Sequence, residues 1–153
     1  MKNIIFLLTL HALFTSCHGQ KTIGKPVNEL SSHLWYIFQD TKNNYWFASN
    51  GEGVYRYDGK SIINFTTSDG LANDTIRQIQ EDKFGNIFIT TFGGINKFDG
   101  KTFTTLQPIK SKEWRLESDD LWFYVLGKKM EGVLRFDGEK LHHLEFPKHY
   151  LHD

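Results

Sequence analysis

The stretch SDGLANDTIRQIQEDKFGNIFITTFGGINKFDGK, at residues 68–101, decides the fold, because most of its second half recurs on both sides of it. The earlier copy reads QDTKNNYWFASNGEGVYRYDGK at residues 39–60, and the later copy reads SDDLWFYVLGKKMEGVLRFDGE at residues 118–139. Self-similarity with a period of about 40 residues is typical of proteins built from stacked or radially arranged repeats. The chain is therefore expected to contain three copies of one structural unit.

Shared columns align the three copies residue by residue. Four are consecutive (a basic residue, an aromatic, an aspartate and a glycine), and another aromatic column lies upstream. We expect the basic side chains to rest their stems on the neighbouring unit and to keep their charges in water. The consecutive columns are Arg56-Tyr57-Asp58-Gly59, Lys97-Phe98-Asp99-Gly100 and Arg135-Phe136-Asp137-Gly138, and the upstream aromatics are Trp46, Phe88 and Trp122.

Each copy has the pattern of four short strands. An Asp-Gly pair between runs of aromatic and branched residues predicts a tight two-residue hairpin between the third and fourth strands, because glycine tolerates positive φ. Turns between the second and third strands are predicted at residues 50–53, 93–94 and 126–131. The sequence therefore predicts an all-β fold of three four-stranded antiparallel sheets, at residues 33–65, 75–106 and 113–146, arranged as the blades of a partial β-propeller.

The amino terminus has the pattern of an export signal at residues 1–16. Lys2 precedes an apolar core at residues 4–14 that is too short to span a bilayer, and small residues follow it. Leu13-Phe14-Thr15-Ser16-Cys17 resembles the lipobox of bacterial lipoproteins, which implies cleavage before Cys17 and a lipid on its thiol. The alternative is an ordinary secretory signal that leaves the protein soluble. Because Cys17 is the only cysteine, no internal disulfide is expected.

The segments that flank the three units are polar. With Cys17 as its first residue, the segment 17–32 contains Gly24 and Pro26 without an apolar period, and it is expected to be a tether. Residues 147–153 are expected to be a frayed tail. The chain is thus predicted to lie at the bacterial cell envelope, anchored through a lipid and facing the periplasm or the surface. Secretion to the periplasm is the alternative.

The middle copy contains, in order, Asp69-Gly70-Leu71, Ile76, Glu81-Asp82, Gly85-Asn86, Phe88, Gly93-Gly94 and Asp99-Gly100. This series resembles the repeat of the two-component-regulator propeller family. In that family such repeats form exported sensor domains, typically within membrane-spanning hybrid histidine kinases, and many detect oligosaccharides. The resemblance implies ligand binding or sensing, while the absence of a kinase or receiver module from this sequence implies that the chain cannot signal alone.

Motifs of common enzymes and cofactor sites are missing from the sequence. It has no glycine-rich phosphate loop, Cys-x-x-Cys pair or nucleophile elbow, so we predict a non-enzymatic protein without a cofactor. Adjacent His142 and His143 would point to opposite faces of a strand, so no metal site is expected there or at His149 and His152. With 18 basic and 18 acidic residues, the chain has no electrostatic footprint for nucleic acid.

A ligand is expected on the face formed by the connections between blades and by the turns between second and third strands. Short polar side chains beside an exposed aromatic ring suit sugar recognition. The alternative is that the aspartates and asparagines there only form loops. The candidate ligand-binding residues are Asn50, Glu52, Asp69, Asn73, Asp74, Phe92 and Lys128.

Two other functions remain open from the sequence. A glycan-acting enzyme subunit would need an ionisable cluster, for which the inner strands offer His33 and Arg77 with Glu117 nearby. A remnant of a longer sensor would serve only protein–protein contacts.

The number of blades predicts association. Propellers close with about four to eight blades, so three leave apolar end faces that favour self-association or pairing with another propeller protein. We expect these end faces near Trp35 and Phe38 and near Trp122 and Leu134. The alternative is a marginal open array.

Overall fold

The computed structural model describes residues 23–115, 117–124 and 132–146 of the chain. Within these residues the protein forms three β-sheets and one short 3₁₀ helix, so the prediction of an all-β fold is confirmed for the described part of the chain. Each sheet is built from strands that are consecutive in the sequence, and the three are called sheet 1, sheet 2 and sheet 3 in chain order.

Sheet 1 has one strand more than predicted. Its antiparallel strands are β1 (Lys25–Val27), β2 (Leu34–Gln39), β3 (Tyr45–Ser49), β4 (Val54–Tyr57) and β5 (Ile62–Phe65), in the spatial order β1-β5-β4-β3-β2. The added strand β1 lies in the segment predicted to be a tether, and Val27 pairs with Ile62 at the sheet edge. The pattern missed it because so short an edge strand needs only backbone partners, and an edge tolerates Pro26.

Sheet 2 matches the predicted four antiparallel strands. They are β6 (Ile76–Glu81), β7 (Ile87–Thr91), β8 (Gly94–Phe98) and β9 (Phe103–Thr105), in the order β6-β7-β8-β9. The 3₁₀ helix at Thr67–Asp69 lies in the connection from β5 to β6. This long connection carries the chain from β5, which lies beside the edge strand β1, to the first strand of sheet 2.

Sheet 3 departs from the predicted all-antiparallel arrangement. Its strands are β10 (Pro108–Ser111), β11 (Leu121–Tyr124), β12 (Val133–Phe136) and β13 (Leu141–Leu144), in the order β10-β13-β12-β11, and β10 runs parallel to β13. An inner strand, expected at the start of residues 113–146, is not found among the described residues there, because residues 112–115 and 117–120 belong to no strand. Only Leu106 and Gln107 separate β9 from β10, so the chain pairs at the outer edge instead of returning to the inner one.

The Asp-Gly turns are wider than the predicted two-residue hairpins. Tyr57 pairs with Ile62, so four residues lie between the paired positions, and Gly59 has the expected positive φ of 90°. The carboxylate of Asp58 accepts the backbone N–H groups of Lys60 and Ser61, which stabilises the longer turn. Asp99 and Asp137 accept the same two hydrogen bonds in sheets 2 and 3.

Two apolar layers hold the three sheets face to face. The layer between sheets 1 and 2 contains Trp46 and Phe65 from one side and Ile89 and Phe98 from the other. The layer between sheets 2 and 3 contains Phe88, Phe123, Leu134, Phe136 and other apolar residues. Sheet 2 is therefore the middle layer, and its strand β7 buries alternate side chains on both faces.

The register of the shared columns is the same in every sheet. The upstream aromatic lies directly opposite the basic residue: Trp46 opposite Arg56, Phe88 opposite Lys97, and Trp122 opposite Arg135.

Lys97 reaches the neighbouring sheet, as expected of the basic column, since its Nζ lies 5.8 Å from the ring centroid of Phe136 in sheet 3. The expectation is wrong for Arg135, which is buried and ion-paired with Asp120 instead of reaching water. Arg135 is held by the segment before β11 instead of by a neighbouring sheet, because Arg115 O in that segment also accepts a hydrogen bond from Arg135 Nη1.

Candidate functional site

The turns between second and third strands and the connection between sheets 1 and 2 meet at one end of the molecule. Asn50 and Thr75 form an isolated antiparallel bridge, and the N–H of Gly53 donates to Asp74 O over 2.8 Å. A Cβ added at Gly93 would overlap the carbonyl oxygen of Ala72, so the β7–β8 turn also lies against this connection. The structure therefore brings together the loops on which the candidate binding residues were predicted.

Three of the candidate residues hold the connection itself. Asp69 accepts hydrogen bonds from the N–H groups of Gly24 (2.8 Å) and Thr66 (3.0 Å), and it closes the capping box of the 3₁₀ helix. Asp74 Oδ1 accepts the N–H of Thr67 over 2.7 Å. In the same connection, Asn73 Oδ1 accepts the N–H of Thr75 over 2.8 Å. The geometry of these oxygens supports the loop-forming interpretation of all three residues.

Glu52 belongs to a polar group at the exposed end of sheet 1. Its Oε1 lies 2.8 Å from His33 Nδ1, and its Oε2 accepts the hydroxyl of Tyr55. Hydrogen bonds hold the pKa of Glu52 below its ordinary value. The one with His33 has the largest effect, followed by those with Ser31 and Tyr55. Asn50, two residues earlier, is exposed and contributes its backbone to the bridge with Thr75.

A cleft of about 330 Å³ opens between sheets 2 and 3 at the same end. Two aromatic residues with large exposed areas line it, Phe92 at 52% and Tyr124 at 74%, but the alternation of β11 puts the Tyr124 side chain on the face of sheet 3 opposite to Phe123, away from sheet 2. Thr90 lies deeper, and its Oγ1 is buried without a hydrogen-bond partner among the described residues. The apolar part of the lining comes from Ile95, Leu106, Pro108, Leu134 and Leu141.

The positive charge of Arg77 lies against one face of the Phe92 ring. The guanidinium carbon of Arg77 lies 4.0 Å from the ring centroid, a cation–π contact that contributes on the order of 0.5–1 kcal/mol at an exposed site. Arg77 is itself exposed, so its charge lies beside the mouth of the cleft. The pair combines an apolar ring with a donor for carboxylate or hydroxyl groups.

The sequence prediction found Phe92 but missed Tyr124 and Thr90. Both lie two residues after the shared aromatic column, Thr90 after Phe88 and Tyr124 after Trp122. The signal was present in the alignment of the copies. It gave no functional indication, because sheet 1 has Ala48 at this position.

The residues considered for an enzyme have different partners. His33 contacts Glu52, Arg77 stacks on Phe92, and the N–H of Glu117 donates to Asp120 Oδ2. In the part of the chain that the structure describes, no group of three or more His, Cys, Asp or Glu side chains is placed to hold a metal ion. On β13, the imidazole of His142 lies 2.6 Å from Asp137 Oδ2, whereas adjacent His143 is buried.

Several predicted features lie outside the described residues. They are the signal at residues 1–16, the lipidation site Cys17, the turn at residues 126–131 with Lys128, and the tail at residues 147–153. His149 and His152 fall in that tail. A search of the described segments finds no helix long and apolar enough to cross a membrane.

Comparison with known proteins gives one partial similarity. No model of a known protein family matches the chain. Over 39 residues the chain is 46% identical to Histidine kinase P4 of Formosa agariphila. The matched segment covers 26% of this chain and 3% of that protein.

Proposed function

We propose that this chain is a non-enzymatic, sensor-type binding module built from propeller blades, which recognises an oligosaccharide or a similar small ligand in the cleft between sheets 2 and 3. The observation that carries the proposal is the exposed ring of Phe92, with Arg77 stacked on it, at a cleft on the end of the molecule where the loops converge. The module binds its ligand but does not transmit the signal itself.

The repeated architecture supports the blade interpretation. Each sheet packs face to face on the next through one apolar layer, and the aromatic and basic columns keep one register in all three. Radially repeated four-stranded sheets are the units of a propeller. The short similarity to a histidine kinase favours a sensing role, but it spans only 3% of that protein, so kinase activity is not part of the proposal.

The chemistry of the cleft suits a carbohydrate. Binding sites of this kind combine apolar surface with a few placed polar groups, and a sugar presents an apolar ring face as well as hydroxyls. Phe92 supplies a ring surface, Thr90 supplies a hydroxyl, and Arg77 supplies a charged donor. We therefore expect uronate-containing oligosaccharides to bind at least as well as neutral ones.

Location at the bacterial cell envelope through a lipid on Cys17 belongs to the same proposal. It is supported by the lipobox-like residues around Cys17. Expression in a bacterial host with an alkyne-labelled fatty acid tests it. The wild-type chain is expected to carry the label and to sediment with membranes, and Cys17→Ser is expected to do neither. An unlabelled wild-type chain would contradict anchoring.

Titration calorimetry with neutral and uronate-containing hexasaccharides tests the cleft. Phe92→Ala is expected to weaken the binding of any hexasaccharide recognised by the wild-type chain at least tenfold. Phe84→Ala is the matched control, because Phe84 is also exposed but lies in the β6–β7 turn at the other end of β7. Unchanged binding by the Phe92 variant would refute the site, and the absence of binding to every hexasaccharide would refute an oligosaccharide ligand.

A further inference from the structure

The two interfaces between sheets are built alike. Sheet 1 turns the face with Trp46 and Phe65 towards sheet 2, and sheet 2 turns the face with Phe88 towards sheet 3. We call this the forward face of a sheet and the opposite one its backward face. Each interface has an aromatic contact between the upstream column of one sheet and the residue before Asp-Gly in the next, at 5.7 Å for Trp46–Phe98 and 4.8 Å for Phe88–Phe136.

The backward face of sheet 1 repeats this pattern without a covering sheet in the described residues. The register makes Ile37, Tyr45 and Tyr57 equivalent to Ile79, Ile87 and Phe98 on the backward face of sheet 2. Ile79 and Ile87 are 1% and 3% exposed under sheet 1, whereas Ile37 and Tyr45 are 60% and 40% exposed. Sheet 1 therefore presents half of an interface whose other half is a forward face.

Sheet 3 presents the complementary half. Its forward-face residues Trp122 and Val133 are equivalent to Phe88 and Ile95 of sheet 2. Phe88 and Ile95 are buried, whereas Trp122 and Val133 are only half-buried. The segment before β11 covers part of this face, because Arg115 O and Asp120 contact Arg135, and Arg135 and Leu144 on this face are buried. The face is exposed at β11, an edge strand of sheet 3, where Tyr124 lies on the same face as Trp122 and is 74% exposed.

These positions revise the expected end faces. Phe38 packs against the layer between sheets 1 and 2, and Trp35 donates its indole N–H to Ile76 O of sheet 2. Leu134 is buried against sheet 2. Of the four residues expected at the ends, only Trp122 lies on an outward-directed end face.

We propose that two copies of this chain pack head to tail, with the forward face of sheet 3 of each copy on the backward face of sheet 1 of the other. The repeated aromatic contact predicts that Trp122 of one copy lies against Tyr57 of the second. The occupant is a second copy because one chain supplies both complementary halves, which is the condition for a head-to-tail interface. Two copies give six sheets, within the range in which propellers close. The inference does not depend on the ligand cleft.

The mass in solution is the first test. The full chain with Cys17→Ser, which removes its only thiol and prevents lipidation, is measured by size-exclusion chromatography with light scattering in the absence of any sugar. A mass twice that of the chain is expected, and a monomer or an assembly of any other size overturns the proposal. Because no ligand is present, this result is separate from the outcome of the hexasaccharide titrations.

Cross-linking tests the contact. In the Cys17→Ser chain, Tyr57→Cys together with Trp122→Cys is expected to give a covalent dimer with a short bismaleimide. Either substitution alone is expected to give none, because two copies of the same position do not meet in a head-to-tail pair. A covalent dimer from Tyr57→Cys alone would show like faces in contact and would overturn the proposal.

A third test places a charge at an exposed position of the proposed interface. Because such a position is not part of the core of one copy, the variant is expected to fold, and a change in mass then reports on the interface alone. Ile37→Glu changes a side chain that is mostly exposed within one copy, and it is expected to yield a folded monomer. Phe84→Glu is the control for an equally drastic change elsewhere and is expected to remain a dimer. If the Ile37 variant stays dimeric, the proposed face is wrong.

Discussion

The indole Nε1 of Trp46 donates a hydrogen bond to Asp40 Oδ2 over 2.9 Å, and both residues are buried. The other carboxylate oxygen of Asp40 accepts the N–H groups of Lys42 and Asn44. Burial alone would raise the pKa of Asp40, but the hydrogen bonds from Trp46, Asn44 and Lys42 outweigh it and hold that pKa below its ordinary value. One carboxylate thus ties the β2–β3 turn to the apolar layer between sheets 1 and 2.

Asp40→Ala is expected to destabilise the protein more than Asp82→Ala does. Asp82 accepts the same turn hydrogen bonds, from Phe84 and Asn86, but the aromatic residue of its sheet is Phe88, which has no donor. Loss of Asp40 leaves the buried indole N–H of Trp46 unsatisfied, which costs about 1–3 kcal/mol. Urea unfolding of both variants measures the difference. Equal losses would show that the indole hydrogen bond contributes nothing.

The fold was largely predictable because each unit repeats its own register. The columns that begin at Arg56, Lys97 and Arg135 located the β4–β5, β8–β9 and β12–β13 hairpins from the sequence alone. The outer strands β1 and β10 were not predictable in the same way. Each is held at a sheet edge by backbone pairing with a distant strand, which leaves no periodic pattern in three or four residues.

Gly53→Ala is expected to be more destabilising than Gly59→Ala. Both glycines have positive φ, 79° and 90°, so each substitution pays about 1–2 kcal/mol for a left-handed alanine. At Gly53 the added Cβ would also overlap the carbonyl oxygen of Phe65, whereas at Gly59 nothing lies within 4 Å. Thermal unfolding of the two variants isolates the overlap. An equal or smaller loss of stability for the Gly53 variant than for the Gly59 variant would contradict the close approach of Gly53 to the carbonyl oxygen of Phe65.

The protein is expected to lose stability as the pH falls from about 4 towards 2. Burial would raise the pKa of Asp137, but the N–H groups of Lys140 and Glu139 and the imidazole of His142 lower it to about 2 from its usual 3.8. A carboxyl group with a lowered pKa in the folded state stabilises that state above its unfolded pKa, and the contribution disappears as the pH falls through the folded pKa. The pKa values of the equivalent Asp58 and Asp99 are also lowered, chiefly by hydrogen bonds from backbone N–H groups.

Melting temperatures of the wild-type chain and Asp137→Asn between pH 6 and pH 2 check this expectation. The asparagine oxygen can still accept the two backbone N–H groups, but it does not titrate. The difference in melting temperature between the two proteins should therefore shrink below pH 4. Parallel curves over the whole range would show that Asp137 does not contribute.

The candidate site was less predictable than the fold. Loop position and residue type suggested Asp69, Asn73 and Asp74, but their oxygens already accept backbone hydrogen bonds. A sequence cannot separate an aspartate that closes a loop from one that binds a ligand, because both require an exposed loop and a free acceptor. Tyr124 and Thr90 meet at the cleft only through the packing of sheets 2 and 3.

Arg135→Met is expected to cost about 3–5 kcal/mol of folding stability, because it leaves the carboxylate of Asp120 buried without its cation. The pair is 3.3 Å apart, with side chains only 6% and 3% exposed. Lys83→Met is the matched control, because the ion pair of Lys83 with Asp119 is equally direct but exposed, and its loss should leave stability nearly unchanged. Adding Asp120→Leu to Arg135→Met should recover part of the loss by removing the unpaired charge. Guanidinium unfolding of the single and double variants measures the coupling, and strictly additive losses would show that the two side chains act independently.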